Sequence, residues 1–306
     1  MHNQPTESRN ERPITGRVVR QHKKHYLVNS TGGKMVCTAR GNVAKRSNIY
    51  VGDIVTCRRM NREPAEGIIT RVHKRSNVLQ RPVVANIGKL LLVFSYVDPD
   101  LDLELIDRCL FHAEFHHLPG LIIFNKQDLL NAAQRTSLHS ICEMYHKINY
   151  QVMLTSATTG EGIQELAKAC KNEVASMAGP SGSGKSSLLN ALFPHISLPT
   201  AQTSRKIKRG THTTSSAGLI QLPAGGYIAD TPGFSVLDMP RLDATDAYSC
   251  FPELADLVGK CRFNNCRHID EPSCEAKARL EQGTIAQSRY EHYITFYQEL
   301  SNARDN

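Results

Sequence analysis

Ala178–Asn190 reads AGPSGSGKSSLLN, and Gly179, Gly184, Lys185 and Ser186 fall on the fixed positions of the phosphate-loop pattern G-x-x-x-x-G-K-[ST]. Glycines such as Gly182 and Gly184 let a loop wrap until its backbone N–H groups converge on phosphate oxygens, and a helix opening at Lys185 adds its positive N-terminal end. The cradle is therefore expected to run through Gly179, Pro180, Ser181, Gly182, Ser183, Gly184, Lys185, Ser186 and Ser187, with Lys185 bridging the β and γ phosphates and Ser186 ligating Mg²⁺. The pattern alone does not separate ATP from GTP.

Outward from this loop, strands and helices alternate. IGKLLLVFSY from Ile87 and LIIFN ending at Asn125 are continuous apolar runs, as expected of strands covered on both faces. Between them, from about Leu101 to His116, Leu103, Ile106, Leu110 and Ala113 recur on one helical face. A helix over roughly Ala132–Lys147, the strand QVMLTSA, a helix over 162–171 and the strand EVASMAG then lead into the phosphate loop. The alternation argues for a parallel α/β sheet with helices on both faces, whose ligands bind at the C-terminal ends of the strands.

One such end carries NKQD, Asn125–Asp128. The Asp128 carboxylate can accept from guanine N1–H and its exocyclic amine, a donor pair adenine lacks, and because leaving a buried carboxylate unpaired is costly, discrimination on the order of 10⁴-fold is expected. Asn125 is expected to brace the neighbouring loops, and the Lys126 stem to lie over the base. TSATTGEG (Thr155–Gly162) follows the next strand and suits a second base-contacting loop, in which Ser156 flanks the Ala157 N–H as it approaches guanine O6. Downstream lie RGTHTT (Arg209–Thr214) and DTPGF (Asp230–Phe234). Asp230 can hold Mg²⁺ through water, the Gly233 N–H can sense the γ-phosphate, and Thr213 or Thr214 can complete the metal shell. The order is base, base, phosphate, switch, switch, which makes this a circularly permuted P-loop GTPase domain, over 83–239. Termini of a compact domain can be relocated without dismantling its core. The permutation feeds the second switch directly into the segment beyond Pro240.

A chain of 306 residues, 40% hydrophobic, suits two or three domains. No run of about 18 apolar residues suggests a membrane span, and the polar residues 1–12 read as a disordered tail rather than a secretory signal, so a cytoplasmic location is expected. The formal charge of +8 is uneven: residues 1–82 hold 17 Lys and Arg against 5 Asp and Glu, while the remainder holds 20 against 24. A basic first quarter suggests a polyanion partner. Within 13–82, ITGRVV, HYLVNS, KMVCTA, DIVTCR and GIITRVH read as five short strands of a small barrel. An OB-fold is the favoured form, with an SH3-like barrel as the alternative that strand counting leaves open. Arg17, Arg20, Lys23, Lys24, Arg40, Lys45, Arg46, Arg58 and Arg59 are the candidate RNA-phosphate contacts. Tyr26 and Tyr50 are the only aromatic residues there, so base stacking is expected to be sparse.

Six of the nine cysteines are scattered singly, whereas Cys261, Cys266 and Cys274 cluster around His268. Three thiolates and an imidazole suit a closed tetrahedral structural Zn²⁺ site, against a reading of loose thiols and with Cys250 as a competing ligand. Residues 240–306 are read as a helical zinc-binding domain, in which Gly283 breaks the helical pattern.

Together, NKQD, GPSGSGKSSLLNAL, GTHTT, DTPGF, the cysteine block from Cys261, RGNVAKRSNIYVGDIV and RSNVLQRP resemble the RsgA (YjeQ) family of small ribosomal subunit biogenesis GTPases, over about residues 13–300. The resemblance implies an OB-fold, a permuted GTPase domain and one structural Zn²⁺ held by Cys261, Cys266, His268 and Cys274. It implies the small ribosomal subunit and its rRNA as partners, late in maturation of the subunit. Thr211 and Ser215 depart from the residues the family often has there.

The expected reaction is GTP and water to GDP and phosphate. Phe234 stands where many GTPases carry a glutamine that orients the attacking water, so His212 is the candidate for that task, beside Lys185 and Thr214. Ser186, Thr214 and Asp230 form the expected Mg²⁺ set. A P-loop ATPase or nucleotide kinase, disfavoured by NKQD, and a non-hydrolysing GTP-dependent RNA-binding module are the alternatives. No coiled-coil heptads are visible, and a monomer is expected.

Overall fold

The structure, a computed structural model, describes residues 13–41, 43, 48–62, 65–80, 83–193, 218–230 and 239–304. Of these, residues up to Ile87, with 218–220 and 229–230, form one compact unit, and the others form a second.

In the first unit the five expected strands are present: β1 (Ile14–His22), β2 (His25–Ser30), β3 (Gly33–Ala39), β4 (Ile54–Arg62) and β5 (Ala65–Val72). β1 pairs antiparallel with both β2 and β4, β2 with β3, and β4 with β5, while β3 runs parallel to β5. The ring therefore closes in the order 1-2-3-5-4-1. That connectivity is the OB-fold's and removes the other small-barrel reading. Alternation along the strands turns Val18, Val28, Met35, Cys37, Val55, Cys57 and Ile69 into the barrel core. A short hairpin of β6 (Val78–Gln80) and β7 (Val83–Ala85) follows.

The second unit holds a parallel sheet. β8 (Lys89–Ser95) pairs with β9 (Gly120–Asn125), β9 with β10 (Gln151–Leu154), and on its other side β8 pairs with β11 (Val174–Ala178). β11 continues to Tyr227 and Ile228 of β13 (Tyr227–Asp230), which is reached after β12 (Gly218–Gln221). The chain thus runs outward one way through β9 and β10 and the other way through β11. The order reverses between β8 and β11, so the crevice beyond their C-terminal ends is a topological switch point, where ligands of such sheets bind.

The connecting helices are α1 (Leu103–Phe115), α2 (Ala132–Lys147), α3 (Ile163–Ala169) and, after β11, α4 (Lys185–Leu192). Asp102 caps α1 through the Leu105 N–H at 3.0 Å, and Asn131 with Gln134 forms a reciprocal capping box on α2. α1 buries more than the one face its apolar spacing indicates. Ile106, Leu110 and Ala113 are buried, but so are Asp107, Cys109 and Phe111.

The second cover of α1 comes from the C-terminal segment: a 3-10 turn (Ala244–Cys250), α5 (Pro252–Ala255), α6 (Glu275–Glu281) and α7 (Gln287–Arg304). Gly283, at φ +70°, lies between α6 and α7. Phe111 packs edge-on against Phe251 and Phe296, with ring centroids 6.0 and 5.7 Å away. A buried polar network accompanies this core. Asp107 accepts from Arg289 Nη1 at 2.8 Å and Tyr145 Oη at 2.8 Å, and its other oxygen lies 2.5 Å from His292 Nδ1. Arg289 also forks onto Glu253 at 2.7 and 3.1 Å. Burial, then the adjacent Asp107 carboxylate, pushes the Tyr145 hydroxyl well above its ordinary pKa, which keeps it a donor. Among the described residues no helix is long and apolar enough to cross a membrane.

Candidate functional site

β9 ends at Asn125, and its side chain is buried. The carboxamide Nδ2 donates to the Ser183 carbonyl at 3.1 Å, while Oδ1 accepts from the Ala157 N–H at 3.2 Å and from Thr155 Oγ1 at 3.3 Å. One side chain thus joins three loops, those after β9, β10 and β11. Gly184 is at φ +91°, and a Cβ there would come within 2.2 Å of Asn125 Nδ2. The last glycine of the phosphate-loop pattern is therefore required by the amide that crosses it. Gly179 is equally constrained: it sits at φ +133°, and a Cβ would meet the Val93 carbonyl at 2.0 Å.

Within the phosphate loop, Lys185 Nζ donates to the carbonyls of Gly179 at 2.8 Å and Pro180 at 2.7 Å. Its ammonium is folded back over the loop that α4 follows. Burial lowers its pKa from the ordinary lysine value, with nearby Cys109 acting the other way. Among the described residues, the buried Ser183 Oγ has no hydrogen-bond partner. A cationic amine, a buried hydroxyl and the opening turn of α4 thus belong to one loop. That donor set fits phosphate oxygens. Ser186 is half-buried in the first turn of α4, and Ser181, Gly182 and Ser187 are exposed or partly so.

On the base side, Ser156 is fully buried and its Oγ donates to Asp128 Oδ1 at 2.5 Å, while the Thr159 N–H donates back to that Oγ at 3.1 Å. The Asp128 side chain is thereby aimed, although the residue itself is exposed in this structure. Lys126 sits at φ +65° and its Nζ lies 2.5 Å from the Asp98 carbonyl oxygen and 3.3 Å from Asp98 Oδ2. The loop carrying Asp98 follows β8 and belongs to none of the sequence motifs. The switch-point rule is the signal that points to it, because β8 and β11 are the strands between which the order reverses. Gln127 lies inside the NKQD motif without an expected role: it is buried and carries structure, with its N–H on the Thr155 carbonyl at 3.1 Å.

Asp230 ends β13. His212, Thr213, Thr214, Gly233 and Phe234 lie outside the described residues, as do Thr211, Ser215, Lys45 and Arg46. Of the basic barrel residues, Arg20, Lys23, Lys24, Arg40, Arg58 and Arg59 are exposed. Arg17 is half-buried, and its Nη1 donates to the Gly52 carbonyl at 2.9 Å, which engages it within the barrel.

Cys261, Cys266, His268 and Cys274 come together with their ligand atoms all within 4.8 Å of one another. His268 Nδ1 lies 3.5, 3.6 and 3.4 Å from the sulfurs of Cys261, Cys266 and Cys274. Zinc bonds of about 2.3 Å to sulfur and about 2.0 Å to nitrogen, at a tetrahedral angle, require an N···S edge of about 3.5 Å. The four residues fit a zinc ion by that test. Cys250 is not among them; it is buried in the hydrophobic core of the segment. The backbone locks the set in place. The His268 carbonyl accepts from Tyr290 Oη at 2.7 Å, and Glu271 receives the N–H groups of Arg267 and Ile269 at 2.7 and 2.9 Å.

Residues 69–240 match the family model described as RsgA GTPase. The chain is 40% identical over 288 residues to the small ribosomal subunit biogenesis GTPase RsgA of Moorella thermoacetica, covering 94% of this chain and 97% of that one. It is 41% identical over 290 residues to the protein of the same name from Carboxydothermus hydrogenoformans, covering 94% and 98%. Among solved structures, YjeQ from Thermotoga maritima superposes with a TM-score of 0.82 at 35% identity, covering 94% of this chain and 98% of that one. YloQ, described as a circularly permuted GTPase, gives 0.83 at 29% identity, covering 98% and 99%. With the permuted order of motifs gathered around Asn125, a family model matched over more than half its length and such relatives spanning nearly all of it, the chain belongs to the RsgA GTPase family.

Proposed function

We propose that the chain hydrolyses GTP to GDP and phosphate as a late assembly factor of the small ribosomal subunit. One observation carries the nucleotide reading: the Asn125 carboxamide ties the base-side loops to the phosphate loop through Ala157 and Ser183. Residues 58 positions apart thereby serve one ligand.

In this reading Asp128 accepts two hydrogen bonds from guanine, and the Ala157 N–H approaches O6. The base covers Asp128 only while supplying it with donors, so the carboxylate is not desolvated without partners. Lys185 leaves the Gly179 and Pro180 carbonyls for the β and γ phosphates, and the Ser183 hydroxyl gains a partner. Ser186, Thr214 and, through water, Asp230 would hold Mg²⁺, which when bound neutralises charge on the β and γ oxygens. Phe234 cannot hydrogen-bond to the attacking water, so His212 positions it; phosphoryl transfer depends on alignment and charge stabilisation more than on proton abstraction. Thr213 and the Gly233 N–H complete the contacts to the γ-phosphate.

The relatives are named for biogenesis of the small ribosomal subunit, and the exposed cations of the barrel suit rRNA phosphates. In the cytoplasm, as a monomer, the chain docks on the subunit through the barrel and the zinc segment, and the subunit raises its turnover. Zn²⁺ at Cys261, Cys266, His268 and Cys274 is structural, since the protein fills all four ligand positions. The test is phosphate release with GTP and with ATP, each with and without purified small subunits. The reading expects release from GTP alone, accelerated by subunits. Equal release from ATP, or no response to subunits, contradicts it.

A further inference from the structure

We infer that Asp98 is a positioning residue of the nucleotide site: it holds the Lys126 side chain in place before the base arrives. The inference rests on the guanine-nucleotide reading above and adds a fourth loop to it, the one after β8.

Three observations converge on this loop. Lys126 Nζ is fastened twice to Asp98, at 2.5 Å to the carbonyl oxygen and 3.3 Å to Oδ2. The loop is itself anchored, because Ser95 Oγ at the end of β8 donates to the Pro99 carbonyl at 3.2 Å. It also abuts the phosphate loop: a Cβ on Gly182 would lie 3.4 Å from Pro99 Cδ, and one on Gly184 would lie 3.9 Å from Lys126 Cε. The lysine stem therefore passes over the phosphate loop and ends on the loop after β8.

Both partners hold an unusual backbone. Asp98 is at φ +49° and Lys126 at φ +65°, left-handed values that side-chain-bearing residues seldom adopt. Such conformations persist where the surroundings require them, and they cluster at ligand sites. Stability does not explain the pair. The Asp98 side chain is 86% exposed, and an ion pair so solvated adds little to folding. Ordering a lysine on binding, by contrast, costs affinity directly, because its stem has many rotamers. A lysine already fastened at its tip has lost that freedom before the ligand arrives. The fastening acts equally on GDP and GTP, since it lies on the side of Lys126 rather than at the γ-phosphate.

The test is equilibrium binding of fluorescent GDP and of a non-hydrolysable GTP analogue to the full chain and to Asp98→Ala, Asp98→Asn, Lys126→Ala and the Asp98→Ala/Lys126→Ala double variant. Asp98→Ala is expected to weaken both ligands by about three- to tenfold. Asp98→Asn, which tolerates the left-handed backbone and keeps an oxygen acceptor, is expected to recover most of that loss. In the Lys126→Ala background Asp98→Ala is expected to cost nothing further, an outcome that a general loosening of the fold does not produce. Wild-type affinity in Asp98→Ala, or an undiminished cost once Lys126 is gone, overturns the inference while leaving the guanine reading intact. Failure of the unaltered chain to bind either ligand overturns both.

Discussion

Asn125 Nδ2 donates to the Ser183 carbonyl at 3.1 Å, joining the end of a strand to a loop 58 residues later. Its Oδ1 serves Ala157 and Thr155 at the same time. In Asn125→Ala the Ser183 carbonyl and the Ala157 N–H are left without this partner, at about 1–3 kcal/mol for each buried group left unpaired. Guanine-nucleotide affinity is expected to fall by about ten- to a hundredfold, measured by calorimetric titration, with a smaller decrease in Tm. Unchanged affinity would show that the three loops hold their places without it.

Arg289 and Asp107 make a second long-range connection, between α7 and α1. Both side chains are essentially inaccessible, at 1% and 0% exposure. Arg289→Met removes the buried cation, leaving Asp107 with only Tyr145 and His292 and Glu253 without its guanidinium partner, which is expected to destabilise the chain by about 3–5 kcal/mol in urea unfolding. Replacing Asp107 as well, by Asn, is expected to recover part of this. A single variant as stable as the parent contradicts the network's role in fastening the C-terminal segment.

How far these features are legible depends on range in sequence. The phosphate loop, NKQD and the cysteine cluster are local patterns, and their chemistry is written in the spacing of a few residues. Asn125 reads as a brace because the motif fixes its neighbours. The faces of α1 cannot be read in the same way. Ile106, Leu110 and Ala113 mark one stripe, but Asp107 and Phe111 are buried by a helix that begins at Gln287, and a charged residue reads as solvent-facing until its partner is known. The barrel shows the same division. Five strands are visible by their alternation, yet ring closure depends on the β1–β4 and β3–β5 pairs, which no local pattern encodes. Asp98 escapes a reading of the sequence because a single exposed aspartate carries no spacing at all.

The metal cluster makes a separate prediction. One zinc ion per chain is expected by elemental analysis, and Cys274→Ala is expected to lose it. Cys274 also precedes the first turn of α6, and the Glu275 N–H donates to the Cys261 sulfur at 3.3 Å. Loss of the metal is therefore expected to unfold the stretch from Leu257 to Cys274 before the rest, seen as early amide hydrogen exchange there. Zinc-free protein with undisturbed exchange contradicts a structural ion.

The barrel's exposed cations predict steep salt dependence. If Arg20, Lys23, Lys24, Arg40, Arg58 and Arg59 meet rRNA phosphates, subunit binding weakens with added salt. Exchanging any one of them for Gln lowers the slope of log K against log[salt] by about 0.7–0.9 for each phosphate it had neutralised. A slope that no exchange alters removes those residues from the interface.

Whether one guanine nucleotide is held by loops from both sides of the permutation is tested most directly at Asp128. Ser156 Oγ donates to its carboxylate at 2.5 Å, and in the proposed reading that carboxylate accepts from guanine N1–H and the exocyclic amine. Asp128→Asn swaps an acceptor for a donor there, so the variant is expected to lose GTP binding by at least about 100-fold and to gain affinity for xanthosine triphosphate, which carries a carbonyl in place of the amine. The measurement is competition of GTP, ATP and xanthosine triphosphate for the same site in both proteins. An identical order of preference before and after the substitution would contradict the account.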